Sequence, residues 1–145
     1  MKTSLSFRRA TAADVPALLA LRQATMMEHL ERAGAPSDEA ANLARVNYRF
    51  EDALLVYDAD ELVGLFKVAR AEGEWKLVQL QIAPHRQGEG LGGRLVRGLQ
   101  AQAAEAGCGI VLDVLRGNPA RRLYARCGFV VVGADGMEYR MRWTP

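Results

Sequence analysis

The segment WKLVQLQIAP, Trp75 to Pro84, runs straight into HRQGEGLGGR, which places four glycines between Gly88 and Gly93. A strand followed by glycines, where leucine or alanine would cost less backbone entropy, calls for a turn with unusual backbone angles or a close approach by something else. Beyond it Leu91, Leu95, Leu99 and Ala103 recur every fourth residue with Val96 beside them, so residues 90–106 read as a helix ended by Gly107. Strand, glycine turn and helix in that order make an anion site physically plausible. The first-turn N–H groups lack intrahelical partners, and the helix dipole adds roughly half a positive charge. The bland alternative is a tight turn followed by close helix packing.

Nucleotide motifs give a mixed result at this turn. No GxxxxGK[ST] pattern occurs, so the Walker reading fails. Gly88, Gly90 and Gly93 do satisfy GxGxxG, and Asp113 lies 20 residues past Gly93, which keeps a dinucleotide-binding oxidoreductase fragment among the alternatives. Context opposes it: the turn arrives after half the chain has passed, and the tail reads as an antiparallel hairpin rather than a second nucleotide-binding half.

The other segments supply the frame. Residues 5–9 read as a strand, and a helix follows, capped at Thr11 or at Asp14, where Pro16 fits the first turn. Val15, Leu18, Leu19, Arg22 and Met26 form its mostly apolar face until Gly34, Pro36 and Ser37 stop it. A second helix begins at a Ser37 cap and repeats through Ala40, Leu43, Ala44 and Asn47. ALLVYDADELVGLFKVAR reads as a hairpin around Asp58, Ala59 and Asp60. In the next strand Val78, Leu80 and Ile82 make an apolar face, and Leu77, Gln79, Gln81 and Ala83 a mixed one. GIVLDVL is a further strand, Asn118 and Pro119 start a short helix, and FVVVG and MEYRMRW close the chain around Asp135 and Gly136. The closing strand MEYRMRW reads as a sheet edge.

With 145 residues, 50% of them hydrophobic, the expectation is one α/β domain over 1–145 that buries roughly two thirds of its unfolded surface. Arg8 and Arg9 interrupt the stretch a secretory leader would need, so the expected address is cytoplasmic, with no membrane partner. Cys108 and Cys127 form no CxxC pair, and His29 and His85 are the only histidines, so no metal site is expected. The net charge is only +2, although Arg86, Arg94, Arg97, Arg116, Arg121, Arg122 and Arg126 gather in the second half. Without zinc-finger spacing or an aromatic RNA-binding motif, nucleic acid is not the expected partner.

Two stretches now coincide with known signatures. Gln87, Gly88, Glu89, Gly90, Leu91 and Gly92 match the Q/R-x-x-G-x-G/A signature of the GNAT family of N-acetyltransferases. NPARRLYARCGF, Asn118 to Phe129, resembles the family's second signature, an Asn that starts a helix and a Tyr ahead of Gly-Phe. The order of elements resembles that fold along nearly the whole chain. The resemblance implies a single-domain GNAT-like fold, a mixed central sheet with splayed parallel strands flanked by helices. It also implies an acetyl-coenzyme A cosubstrate, with its pyrophosphate on the Gly88 to Gly93 turn and its pantetheine arm beside Gln81, Ile82 and Ala83. Arg86 and Arg94 stand beside the turn either as phosphate attractors or as surface arginines.

By the same resemblance Tyr124 is the general acid for the departing thiolate, the alternative being a packing role, and Asn118 caps its helix and contacts the coenzyme arm. The implied activity is transfer of an acetyl group to a primary amine of a small molecule or peptide, in a ternary complex. The implied assembly is a homodimer. A lysine-like amine with a pKa near 10.4 needs a route for losing its proton. Glu28, His29 and Glu31 lie on the side where the family builds acceptor pockets, and Gln79 and Gln81 are placed to orient a water, but no base is assigned. The other class of function is an acyl-coenzyme A binding or regulatory protein without turnover.

Overall fold

A computed structural model describes residues 4–145; Met1, Lys2 and Thr3, part of the amino-terminal stretch considered above, lie outside the described residues. In chain order the elements are β1 (Leu5–Arg9), α1 (Val15–Ala33), α2 (Glu39–Asn47), β2 (Ala53–Asp58), β3 (Glu61–Arg70), β4 (Glu74–Ile82), α3 (Leu91–Glu105), β5 (Gly109–Leu115), α4 (Ala120–Arg126), β6 (Val130–Asp135) and β7 (Glu138–Trp143). They build one seven-stranded mixed sheet in the order β1-β2-β3-β4-β5-β7-β6. All neighbours are antiparallel except β4 and β5.

Both candidate cap residues stand at helix boundaries, Thr11 before a 3-10 turn and Asp14 before α1. The Asp14 carboxylate accepts from the Thr11 N–H at 2.7 Å and closes a short 3-10 turn, after which α1 begins with Pro16 in its first turn. Gly34, in left-handed backbone, stops it. The α2 cap is Asp38 rather than Ser37. Asp38 is the residue with extended backbone at the boundary, and its carboxylate accepts from Ala41 N–H at 2.8 Å. The buried face of α2 also differs from the expected one. Asn42 and Val46 turn inward while Ala40, Ala44 and Asn47 stay exposed, because Asn42 supports a buried arginine and Val46 joins the apolar cluster under α1.

That cluster joins Leu18, Leu21, Val46, Ala53, Leu55, Leu65 and Ala83 on one face of the sheet. On the other face Leu91, Leu95, Val96, Leu99 and Ala103 of α3 pack on Val63, Phe66, Ile110 and Leu112, so the repeat read from the sequence is the buried stripe. Helices thus flank a sheet whose interior strand β3 is buried from Val63 to Val68. Leu77, Gln79, Gln81 and Ala83 are all buried, but the register shift between Leu77 and Gln79 breaks the expected common face: Leu77 joins the α3-side cluster and Ala83, just past β4, the cluster under α1.

Strand order corrects the expectation at the chain's end. β7 is inserted between β5 and β6, so MEYRMRW is an interior strand and β6 is the edge. Gly64 permits a tight approach on β3, since a Cβ there would stand 2.5 Å from the Gln81 carbonyl oxygen. Cys108 and Cys127 are both free thiols. Among the described residues no helix is long and apolar enough to cross a membrane, and no three His, Cys, Asp or Glu side chains group as a metal site.

Candidate active site

The parallel pairing of β4 with β5 covers only Glu74↔Gly109 to Leu77↔Leu112. Past that point β4 stays paired to β3 through Ile82, and β5 stays paired to β7 through Leu115. Each strand keeps its outer neighbour and loses its inner one, so the sheet opens into a wedge whose facing backbone groups are released from strand-to-strand pairing. Two clefts enter it, one of about 560 Å³ on the glycine-turn side and one of about 510 Å³ under α1 and α2.

The glycine-turn cleft is lined by Ile82, Gln87, Gly88, Gly90, Leu91, Gly92, Gly93, Asn118 and Tyr124. Gly90 has φ of 82°, a left-handed angle that L side chains rarely adopt, and it hands the chain directly into α3. The N–H groups of Leu91, Gly92 and Gly93 occupy the first turn, where no intrahelical acceptor exists. The exposed Gln87 donates through Nε2 to the Ile82 carbonyl at 3.0 Å, tying the turn to the splayed strand. Arg86 holds the turn from below through Asp58, Glu61 and Glu89 at 2.8, 2.6 and 3.0 Å. Its charge is neutralised by three carboxylates, so it braces the turn instead of supplying free charge to a phosphate. Arg94 is exposed on the first turn of α3.

Two expected contacts are not brought to this cleft. Ala83 belongs to the apolar cluster under α1, and its N–H is taken by the Val63 carbonyl at 2.8 Å. The Glu89 side chain is engaged by Arg86.

Asn118 Oδ1 accepts from the Ala120 N–H at 2.9 Å and so caps α4, which carries Tyr124 inward. Tyr124 is only 7% exposed and packs edge-on against Phe129, with ring centroids 5.9 Å apart. Its phenol has no hydrogen-bond partner among the described residues. Burial, with Cys127 adding to it, raises the phenol pKa well above its ordinary value, so the proton stays on at neutrality.

The second cleft is divided electrically. Arg22 on α1 and Arg45 on α2 line one wall, and Asp113 on β5 and Glu138 on β7 line the opposite one. Asp113 pairs with Arg140 at 3.0 Å and Lys76 at 3.1 Å, which disposes of the ribose-binding role that the GxGxxG reading gave it. Glu138 has no hydrogen-bond or ion-pair partner among the described residues. Burial first, then Asp113 and Asp135, raise its carboxyl pKa, against the opposing pull of Arg45 and Lys76.

Gln79 and Gln81 form the floor, each with an Oε1 that finds no donor. Gln79 Nε2 donates to the Arg45 carbonyl at 3.1 Å. Lys67 lies behind it, fully buried, and donates to the carbonyls of Arg45, Val46 and Tyr48 at 3.2, 3.1 and 2.6 Å. An ammonium with three acceptors at a helix C-terminus also complements the helix dipole. Of the acidic and basic candidates at the end of α1, Glu28 pairs with Arg32 at the surface and Glu31 is exposed. His29 lines the glycine-turn cleft, with Nδ1 buried and unpartnered. Glu138 and the paired arginines escaped sequence reasoning. Arg22 was visible only as a member of the inward face of α1, and nothing local marks the other two.

Six residues, Met26, Leu80, Gln81, Asn118, Ala120 and Tyr124, line both clefts. The boundary between them therefore contains a protonated phenol, an amide and the free edge of β4.

Against known proteins, the sequence model of the acetyltransferase (GNAT) domain matches residues 29–145. A search of the curated proteins finds no sequence match. Among solved structures, the PaiA N-acetyltransferase from Thermoplasma acidophilum in complex with coenzyme A superposes with a TM-score of 0.77 at 20% identity, over 98% of this chain and 99% of that one. An acetyltransferase from Thermus thermophilus gives 0.77 at 20% identity, over 98% and 97%. The ribosomal-protein-S18-alanine N-acetyltransferase from Escherichia coli gives 0.66 at 18% identity, over 96% and 91%. At such identities these likenesses speak for the fold.

Proposed function

This chain belongs to the GNAT acetyltransferase family, and on that premise we propose that it moves the acetyl group of acetyl-coenzyme A directly onto a primary amine, both substrates being bound together. The observation that carries this reading is the wall common to the two clefts. A thioester reaching in from the glycine turn and an amine entering beneath α1 and α2 meet there without an acyl carrier on the protein. The pyrophosphate rests on the first-turn N–H groups of α3, and the pantetheine arm follows the free edge of β4 past Ile82 towards Asn118. A Cβ at Gly88 or Gly90 would meet nothing within 4 Å, so the approach to those donors is open.

In the reaction the amine lone pair forms a C–N bond to the thioester carbonyl, and the C–S electron pair leaves with sulfur. The amine must shed a proton before or during attack, and sulfur must gain one. Glu138 takes the first, since its environment favours a proton more than an ordinary carboxylate's does. Tyr124 serves the second. Because its pKa lies above the ordinary thiol value of about 8.5, outright proton transfer to a thiolate is uphill, and its first contribution is a hydrogen bond to the charge growing on sulfur.

Initial-velocity kinetics test the reading, with thiol release measured while acetyl-coenzyme A and an amine are varied together. Intersecting double-reciprocal lines, and no acetylated protein without acceptor, are expected. Parallel lines with a trapped acetyl-protein would overturn direct transfer.

A homodimer through β6 belongs to the same proposal. Val130, Val131 and Val132 are 60%, 42% and 48% exposed on an edge strand whose outer backbone groups have no partner strand. Light scattering across the micromolar range should show the dimer mass, and a concentration-independent monomer rejects it. A cytoplasmic setting is supported by the two unpaired cysteines.

A further inference from the structure

The buried arginine of the acceptor cleft has no counter-ion. Arg22 is 6% exposed, lines the cleft, and spends only its Nε, on Asn42 Oδ1 at 2.8 Å. Nη1 and Nη2 have no hydrogen-bond or ion-pair partner among the described residues. Asn42 is itself fixed by the carbonyls of Ser37 and Asp38 at 3.0 and 3.1 Å, so the guanidinium is held in a set orientation.

Its nearest charged company is cationic. Arg45 shares the wall, and Lys67 lies behind with its three protons committed to carbonyls. Burial, then Arg45, push the Arg22 pKa down to about 10. Arg22 is desolvated beside a second arginine with no carboxylate paired to its guanidinium, an electrostatic cost that a bound anion would relieve. The end-on fork of Nη1 and Nη2 matches the two oxygens of a carboxylate.

The cleft also fixes where such an anion sits relative to the amine. Met26, four residues beyond Arg22 on α1, lies on the boundary shared with the glycine-turn cleft, a separation of about 6 Å along the axis. The unpartnered Glu138 stands on the opposite wall, on the side of an incoming ammonium. We propose that the acceptor is a small amino acid whose carboxylate is clamped by Arg22, with Arg45 beside it, and whose amine points to the boundary at Tyr124 and Gln81. This deepens the acetyltransfer reading and rests on it.

The test uses the full chain, with the twenty common amino acids as one panel and their C-terminal amides as the other. Both are assayed for thiol release with acetyl-coenzyme A, and both are titrated calorimetrically onto protein loaded with coenzyme A. The amides have the more readily deprotonated amine, so intrinsic reactivity favours them and a preference for acids must come from the site. At least one free acid should exceed its amide by about 100-fold in kcat/KM, the scale expected when a buried charge loses its partner.

Arg22→Met should erase that preference with the affinity for acetyl-coenzyme A unchanged. Arg22→Lys, which keeps the charge without the fork, should retain part of it. Arg45→Gln alters an exposed residue and should narrow the preference even if the Arg22 variants fold poorly. Equal use of acids and amides, a preference that survives in Arg22→Met, or one left undiminished in a folded Arg45→Gln overturns the inference. So does coenzyme binding with no amino acid bound at all, which leaves the acetyltransfer reading standing. Failure of acetyl-coenzyme A to bind sinks both, and is seen before any acceptor is added.

Discussion

On the glycine-turn side of the wedge the chain presents mainly backbone, whereas on the side under α1 and α2 it presents side chains drawn from four elements. A left-handed Gly90, the N–H groups of one helix turn and the unpaired edge of β4 make the first cleft. Arg22, Arg45, Gln79, Gln81 and Glu138 make the second, from α1, α2, β4 and β7. Backbone donors read any phosphate in the same way, so that half is built from a short contiguous segment. Side-chain recognition has to be assembled across the fold, and each member can change independently of its neighbours in sequence.

If this contrast holds, variants on the two sides should damage different quantities. The largest effect is expected where they meet. Tyr124→Phe keeps the ring and its contact with Phe129 but removes the donor, so single-turnover acetyl transfer should slow by roughly 10- to 1000-fold while acetyl-coenzyme A affinity barely moves. A parent-like single-turnover rate would reduce Tyr124 to a packing residue.

Next comes Gly90→Val, which places a β-branched residue at φ of 82°. Strain of about 2 kcal/mol should deform the turn and weaken acetyl-coenzyme A by about 30-fold in calorimetry, with circular dichroism unchanged. Unchanged affinity in a folded variant would mean that backbone geometry does not make this half.

Glu138→Gln should cost about 10-fold in kcat/KM near neutrality, and should do so through pH. The parent's activity should climb with pH as Glu138 loses its proton, with a limb above the ordinary carboxylate range because burial, Asp113 and Asp135 outweigh Arg45 and Lys76. The variant should lack that limb; a superimposable profile would remove Glu138 from the proton path.

The smallest effect concerns stability. Lys67 is held at about 8 by burial and by Arg45 and Arg22, below its ordinary 10.5. Between those values the unfolded chain carries a proton that the folded one has lost, so stability rises with pH across that window. Urea unfolding of Lys67→Met should lack the rise, and the difference from the parent isolates this group from Tyr124, whose raised pKa acts in the opposite sense at high pH.

The same contrast explains what could be read from the chain beforehand. Period-four leucines between Leu91 and Leu99 and the turn at Ala59 and Asp60 are local, and so the elements and their order are legible. Strand order is not local. The insertion of β7 between β5 and β6 depends on pairing Asp113 with Arg140, residues far apart in the chain, which is why MEYRMRW looked like an edge. The face of α2 was misread because a helix that buries an Asn to hold an Arg breaks the apolar pattern that periodicity follows. Gln87 to Gly92 carry the family signature in six consecutive residues, while Glu138 is unremarkable until β7 brings it opposite Leu115.

The bare α-carbon of Gly64 has a mechanical consequence. Because a Cβ there would stand 2.5 Å from the Gln81 carbonyl, β3 acts as a rigid backstop for the stretch of β4 that forms one jaw of the opening. The aperture between β4 and β5, where we propose that acyl donor and amine align, is thus set from behind by a position that lines neither cleft. One added methyl at Gly64 would press on the Gln81 carbonyl and shift the jaw together with the side chains it carries, resizing the opening with every lining residue unchanged in identity.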